Sequence, residues 1–334
     1  MAIKISYVGL SEMGGLGERA VKQALESSMS KYFIAPSGVH DDPHINILGG
    51  CPVLPDALTG RFGYEYRDAD YNIGIGVGVT SPSFDDVQES YISESDFSLI
   101  DEHDFDRISV SGPMSRWTLR SHGYDPELTG DPAMLLEPNE YYEPGSKEVI
   151  VALQGPSPKY SNDGEYLKHL RRLMEEMSDE YKFIFLVCNE ADRGISAAEA
   201  EKVDNSELVF WDNVGDPDRI INHISEAELV IGERMYANVL AASAGVPFIY
   251  LANRPKAIDF CSLVNESENC MKITSINYEW LSNRFETLTG DAVKRKEIRA
   301  VTRDIRRSIE DEVTQTVKRI SEIEDEIESR KPSL

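Results

Sequence analysis

Cross-linking and metal chemistry have little to work with in this sequence. Its four cysteines, Cys51, Cys188, Cys261 and Cys270, show no CxxC spacing and lie in or near apolar runs. They read as reduced core or loop thiols, which excludes a disulfide framework and a zinc module. The six histidines (His40, His44, His103, His122, His169 and His223) are scattered without an HExxH pattern, so no metal site is expected from them. No run approaches the roughly 18 uninterrupted apolar residues of a membrane span. The opening MAIKISYVGLSEMGG reads as a strand and turn, without the charged region, apolar core and cleavage site of a signal peptide, and a cytoplasmic protein is expected. Positive charge is scarce too. Lys and Arg total 34 against 59 Asp and Glu, a net charge of −25. Acid spread along the whole chain repels nucleic acid and anionic membrane faces.

With 41% hydrophobic residues the chain has ample material for cores and does not resemble a disordered one. The acidic surface reads instead as adaptation to high salt, where screening removes self-repulsion. An anionic substrate would then need a local basic pocket, which gives weight to each inward-placed cation. At 334 residues, two α/β domains fit the length well.

The organising stretch is Glu226 to Lys256. A buried-strand run, Leu229 to Gly232, turns at Gly232-Glu233 into a small-residue helix from Arg234 to Ala244. Gly245-Val246-Pro247 breaks it, and a second apolar strand, Phe248 to Leu251, runs into a polar loop, Ala252 to Lys256. This is a βαβ unit with parallel strands. Ligands of such units bind beyond the strands' carboxyl ends, where helix N-termini attract anions. Arg234, on the first helical turn, is placed to add bidentate recognition of carboxylate or phosphate; a solvated helix-start residue is the plainer reading.

Upstream, Ile3 to Val8 is a strand leading into a glycine-rich turn with Gly14, Gly15 and Gly17, then a helix from near Glu18. The turn is either an anion cradle or a close-packed corner. Lys31 to Ala35 is a plausible short strand. Ile45 to Cys51 is a strand ending in the pair Gly49-Gly50, and Tyr71 to Val79 is another, with Gly74, Gly76 and Gly78 on one face. That spacing is not GxGxxG, so no dinucleotide fingerprint is present. Ile108 to Ser115 is a strand entering a helix near Ser115, a natural N-cap. Glu137 to Ser146, polar with two prolines, is the boundary between an N-terminal domain, 1–140, and a C-terminal domain, 147–288. The second domain reads as strand 149–153, helix 165–177, strand 183–188, short helix 197–203, strand 208–211 and helix 218–224 before the organising stretch. Residues 291–330 form one long amphipathic helix with a narrow apolar stripe, which packs back across the domains or zips onto a second copy.

Three segments together resemble the polysaccharide pyruvyl transferase family. The family's Arg-Leu-His-Ala, Ala-rich helix and Gly-Val-Pro are matched by Arg234-Met235-Tyr236-Ala237, Leu240 to Ala244 and Gly245-Val246-Pro247. Its Val-Arg-Gly-Pro-x-Ser is matched by Val110-Ser111-Gly112-Pro113-Met114-Ser115, and its Gly-Asp-Pro-Ala by Gly130-Asp131-Pro132-Ala133. Tyr236 stands at the family histidine and Ser111 at the family arginine.

The resemblance implies two doubly wound Rossmann-like domains facing a cleft, as in GT-B glycosyltransferases. It implies phosphoenolpyruvate as donor substrate, with no cofactor, and a surface-glycan sugar as acceptor. Arg234 and Tyr236 are the expected catalytic residues. Gly14, Gly15, Gly17, Gly49, Gly50, Ser111, Ser115, Asp131 and Lys256 are the expected substrate-binding ones, with Lys256 or Arg254 restoring a cation lost at Ser111. Asp131 reads equally as a structural residue bonding turn amides. A histidine titrates near neutrality, whereas a tyrosine at pKa about 10 is chiefly a hydrogen-bond donor. Two other readings stay open. One is a nucleotide-sugar glycosyltransferase, for which Glu226 and Glu228 are a weak acidic pair. The other is a catalytically impaired relative that binds a glycan or protein partner.

Overall fold

A computed structural model describes residues 3–9, 15–36, 38–50, 54, 58, 66–79, 94–155, 164–210 and 216–330. Gly14, Cys51 and Trp211 lie outside the described residues.

Two six-stranded sheets, parallel throughout, carry the fold. The first contains β1 (Ile5–Val8), β2 (Ile34–Pro36), β3 (Ile45–Gly49), β4 (Tyr71–Val77), β5 (Phe105–Val110) and β6 (Glu127–Leu128), in the order β2-β1-β3-β4-β5-β6. The second contains β7 (Glu148–Ala152), β8 (Lys182–Val187), β9 (Ser206–Phe210), β10 (Leu229–Gly232), β11 (Phe248–Ala252) and β12 (Cys270–Lys272), in the order β12-β11-β10-β7-β8-β9. Each order reverses once, between β1 and β3 in the first sheet and between β7 and β10 in the second. At such a reversal the connecting segments diverge to opposite faces and leave a crevice beyond the strands' carboxyl ends.

The crossovers include α1 (Leu16–Ser28), α2 (Glu94–Glu102) and α3 (Pro113–Ser121) in the first half. In the second half they include α4 (Glu165–Met177), α5 (Arg193–Ala200), α6 (Pro217–Glu226), α7 (Met235–Ala244) and α8 (Pro255–Leu263), followed by α9 (Tyr278–Leu288) and α10 (Ala292–Ser329). The expected strands and helices are present with ends shifted by a few residues. One shift matters for function: the polar loop read through Lys256 ends at Arg254, because Pro255 starts α8. A proline's fixed φ and missing N–H suit a first helical turn, and Lys256 therefore stands on a helix. The sequence reading passed over α2, β6, α8, α9 and β12.

Helix α7 is apolar on nearly every side, and all its residues but Tyr236 are buried. Such a helix must lie in a core. Here it sits between the second sheet and the first half. It ends in a Schellman motif: Gly245, at φ 70°, donates to Ala242 O, and Val246 donates to Ala241 O at 2.8 Å. A left-handed residue at that place costs an L side chain energy and glycine none.

Helix α10, roughly 57 Å long at 1.5 Å per residue, ties both halves together. Near its start Arg295 Nη2 donates to Glu228 O at 3.2 Å in the second half. In the middle Arg306 donates to Met134 O at 3.0 Å and to Ser243 Oγ at 3.1 Å. Beyond that, Glu312 accepts a two-pronged bond from Arg107 at 2.7 and 2.6 Å, and Arg319 reaches Asp106 at 2.8 Å. The apolar stripe is spent within the chain: Ile298, Ile309, Val313, Ile320 and Ile323 are buried. Packing thus continues past the first half of the helix to Tyr71, whose hydroxyl donates to Glu326 at 2.9 Å. Among the described residues no helix is long and apolar enough to cross a membrane.

Ile309 is fully buried and its neighbour Glu310 exposed. Ile309→Ala is expected to cost about 2–4 kcal/mol in urea unfolding, while Glu310→Ala stays within about 0.5 kcal/mol.

Candidate active site

The two sheet reversals face each other, and α7 begins between them. Its first turn sends Tyr236 into the first half. The Tyr236 ring lies against Gly17 of α1, so closely that a Cβ on Gly17 would overlap it. Its hydroxyl is 3.0 Å from where a Cβ on Gly50 would stand. That hydroxyl donates to Asp131 Oδ2 at 3.1 Å. Glycines after β1 and after β3 thus make room for one aromatic ring at the first reversal. Gly49, next to Gly50, accepts a bond from the Tyr7 hydroxyl at 3.2 Å through its carbonyl.

Asp131 is fully enclosed, and its Oδ1 accepts from Ala133 N at 2.9 Å, capping the 3-10 turn Pro132–Leu135. The turn-amide role read from the sequence belongs to this carboxyl group, whose other oxygen accepts from Tyr236. Burial pushes its pKa up to about 6, against the opposing pull of the Ala133 amide, the Tyr236 hydroxyl and the Lys256 charge. An acid tuned in this way exchanges a proton close to neutrality.

Arg234 is the N-cap of α7 and turns the other way, to the crevice of the second sheet. Its Nε donates to Asp192 Oδ2 at 2.8 Å, and its Nη2 pairs with Oδ1 of the same carboxylate. Asp192 is wholly buried and also accepts from Gly155 N at 2.9 Å. The guanidinium therefore already holds a carboxylate belonging to the protein, and Nη1 is the edge this pair does not use. Beside it, Glu233 accepts from Gln154 N at 3.0 Å and from the Tyr166 hydroxyl at 2.7 Å, and burial raises its pKa. Burial, with the Asp192 charge next, pushes the Cys188 thiol up to about 12, so it stays protonated and unreactive.

The remaining expected residues fall into a third group. Ser115 is not an N-cap; Gly112 holds that position on α3, and Ser115 lies a turn inside. Its hydroxyl accepts from Val79 N at 2.9 Å and donates to Asp259 Oδ2 at 2.7 Å. Ser111 is buried at the end of β5, its N–H donating to Val77 O at 3.0 Å. Gly15 is the N-cap of α1; it abuts the end of β8, where Leu16 N donates to Cys188 O at 3.2 Å. The structure thus gathers Gly17, Gly50, Asp131 and Tyr236 at one point, within range of the Lys256 charge, and holds Arg234 at a neighbouring one. Glu228 lies at the opposite, amino end of β10. There it accepts from Gly145 N and Gly290 N, each at 2.6 Å, so it forms no acidic pair at the cleft mouth.

The sequence reading missed Asp192, Glu233 and Asp259. Asp192 and Glu233 follow the buried strands β8 and β10, a place where polar side chains face the crevice, and that position was the available signal. Asp259 lies within a short apolar helix and gave none. Among the described residues no group of three His, Cys, Asp or Glu could hold a metal ion.

Alanine for glycine inside a helix normally stabilises by up to about 1 kcal/mol. Gly17→Ala is expected to reverse that sign, because the new methyl group meets the Tyr236 ring. In a Tyr236→Ala background the same change should become neutral or stabilising. A double-mutant cycle by chemical denaturation reads the coupling.

In comparisons of structure, the chain resembles UDP-GlcNAc 2-epimerase from Neisseria meningitidis, solved bound to UDP-GlcNAc. The TM-score is 0.59 and the identity 11%, over 95% of this chain and 100% of that one. It is also similar to CalG4, the calicheamicin glycosyltransferase, at a TM-score of 0.54 and 12% identity, over 97% and 98% of the two chains. S. aureus MnaA, in a co-structure with UDP, gives 0.54 and 12%, over 89% and 91%. At these identities the likeness shows a shared GT-B-like fold. No curated protein matches the chain in sequence. The family profile for polysaccharide pyruvyl transferase matches residues 30–255, well over half of the sequence, and the chain belongs to that family.

Proposed function

We propose that the protein transfers a pyruvyl group from phosphoenolpyruvate to two neighbouring hydroxyls of a glycan sugar, forming a cyclic ketal and releasing phosphate. The observation that carries this reading is the pairing of buried Asp131 with the partly exposed Tyr236 at the junction of the two crevices. Ketal formation starts with a proton added to the methylene carbon of the enol. The resulting cation at C2 takes the first sugar hydroxyl, which gives up its proton. Phosphate then leaves with the C2–O bond pair, and the second hydroxyl closes the ring as its proton passes to the departing phosphate. The family histidine would deliver the first proton. Here Tyr236 occupies that position, and a phenol alone is a weak acid at neutral pH. Asp131, held near neutrality, supplies what the phenol lacks: Tyr236 passes its proton to the enol carbon and is reprotonated from Asp131. Lys256 and the edge of Arg234 that Asp192 does not take are the cations for the donor's carboxylate and phosphate.

The test is calorimetric binding of phosphoenolpyruvate, in low and in molar KCl, to the parent protein and to Arg234→Ala, followed by phosphate release with candidate saccharides. Binding in the parent that is lost in the variant supports the donor assignment. Binding of a nucleotide sugar in place of phosphoenolpyruvate would move the protein to the glycosyltransferase reading, and binding of neither would point to an impaired relative.

Asp131→Asn is expected to lower turnover by about 10²–10⁴-fold, the usual worth of a positioned acid. In the parent, kcat/KM should fall as pH rises through about 6, because the ionised carboxylate can no longer give a proton. Stability carries the matching sign. The native state binds this proton more tightly than the unfolded chain does, so the parent loses stability as pH rises from the ordinary value, 3.8, through about 6. Asp131→Asn escapes that loss, and thermal unfolding at pH 8 should favour the variant, by up to about 3 kcal/mol, relative to the difference at pH 4.

A further inference from the structure

We propose that Asp259 is a positioning residue, a clamp from the second half that grips the N-terminus of α3 in the first half and so fixes the Lys256 side of the cleft against Asp131. The proposal rests on the reading of Asp131 and Tyr236 as the reacting pair, but its geometry stands independently of the substrate.

Asp259 is buried on α8, three residues after Lys256. Its Oδ1 accepts from Met114 N at 2.6 Å, and its Oδ2 accepts from Ser115 N at 3.2 Å and from the Ser115 hydroxyl at 2.7 Å. Gly112, the N-cap of α3, contributes no side-chain cap of its own. A carboxylate from another helix therefore takes over the amides that the first turn leaves open, with the helix dipole in its favour. A Cβ on Gly112 would overlap that carboxylate, so glycine is required for its approach. The Ser115 hydroxyl extends the contact to Val79 N at 2.9 Å, just beyond β4. Gly112 and Ser115, two of the motif positions that the sequence singled out, are thereby explained as the receptacle for Asp259. While the clamp is closed, α3 has its free donors occupied and offers them to no substrate phosphate.

Residues three apart on a helix share a face. Pinning Asp259 to α3 hence fixes the register of the α8 first turn, from which the Lys256 charge reaches Asp131. A structural clamp without this role would stabilise the fold and leave the state of Asp131 alone.

The experiment compares the parent with Asp259→Ala, Asp259→Asn and Ser115→Ala by amide hydrogen exchange and by carboxyl ¹³C NMR titration of Asp131. In Asp259→Ala, exchange of Met114 and Ser115 should accelerate at least tenfold while α4 and α6 amides keep their rates, and the Asp131 titration should move to higher pH as Lys256 is released. Asp259→Asn should fall between Ala and parent, since the amide oxygen still accepts. Uniform acceleration across the molecule, or an unmoved Asp131 titration in both Asp259 variants, would overturn the proposal. Should Asp259→Ala fail to fold, Asp259→Asn and Ser115→Ala carry the same two readouts. If the parent turns over phosphoenolpyruvate, kcat should drop and the donor KM should rise in Asp259→Ala, since Lys256 serves both Asp131 and the donor. If it does not, the function reading fails while the NMR and exchange arms still decide the clamp.

Discussion

The hydrogen bond from Tyr236 to Asp131 is the point on which this structure turns. It crosses from the second half to the first, between the two places where parallel sheets leave crevices. Everything around it serves to let a phenol ring reach a buried carboxyl group. Gly17 and Gly50 remove the side chains that would block the ring. The Ala133 amide holds the other carboxyl oxygen, and burial keeps the acid weak enough to hold a proton near neutrality. A carboxylate placed there without partners would be a net cost to the fold; its two hydrogen-bond partners offset that cost and give it a direction.

The same logic of borrowed partners recurs through the cleft. Asp192 takes both prongs of the Arg234 fork and a backbone amide besides. Asp259 satisfies a helix in the opposite half. In a chain of net charge −25, buried carboxylates are tolerated only where donors have been assembled for them. Each of these acids therefore marks a place where separate segments must meet in register. The long helix α10 completes the arrangement from behind by bonding to both halves, which limits how far they can part.

Much of the scaffold was legible in the sequence. The βαβ unit from Leu229 to Ala252 announced itself through two apolar runs, a small-residue helix and Gly245 at its end, all local signals. The single long helix was plain from a stripe of isoleucines and valines at steps of three and four. Helices α2, α8 and α9 were missed because short segments carry few periods from which to judge. The site was legible only in part. Motif positions pointed to Asp131 and Tyr236, and these two meet in a hydrogen bond. Arg234 was read as a cation waiting for substrate, and nothing local revealed the carboxylate 42 residues upstream that it grips.

The sequence by itself determined the parallel α/β halves, the family motifs and the acidic surface, because periodicity, turn chemistry and composition act over a few residues at a time. Tertiary structure alone decided which carboxyl group is held near neutrality, which cation is already paired and which helix end is already filled. Those properties depend on burial and on donors brought from distant segments, and an acid's free energy of ionisation is set by whatever surrounds it in space.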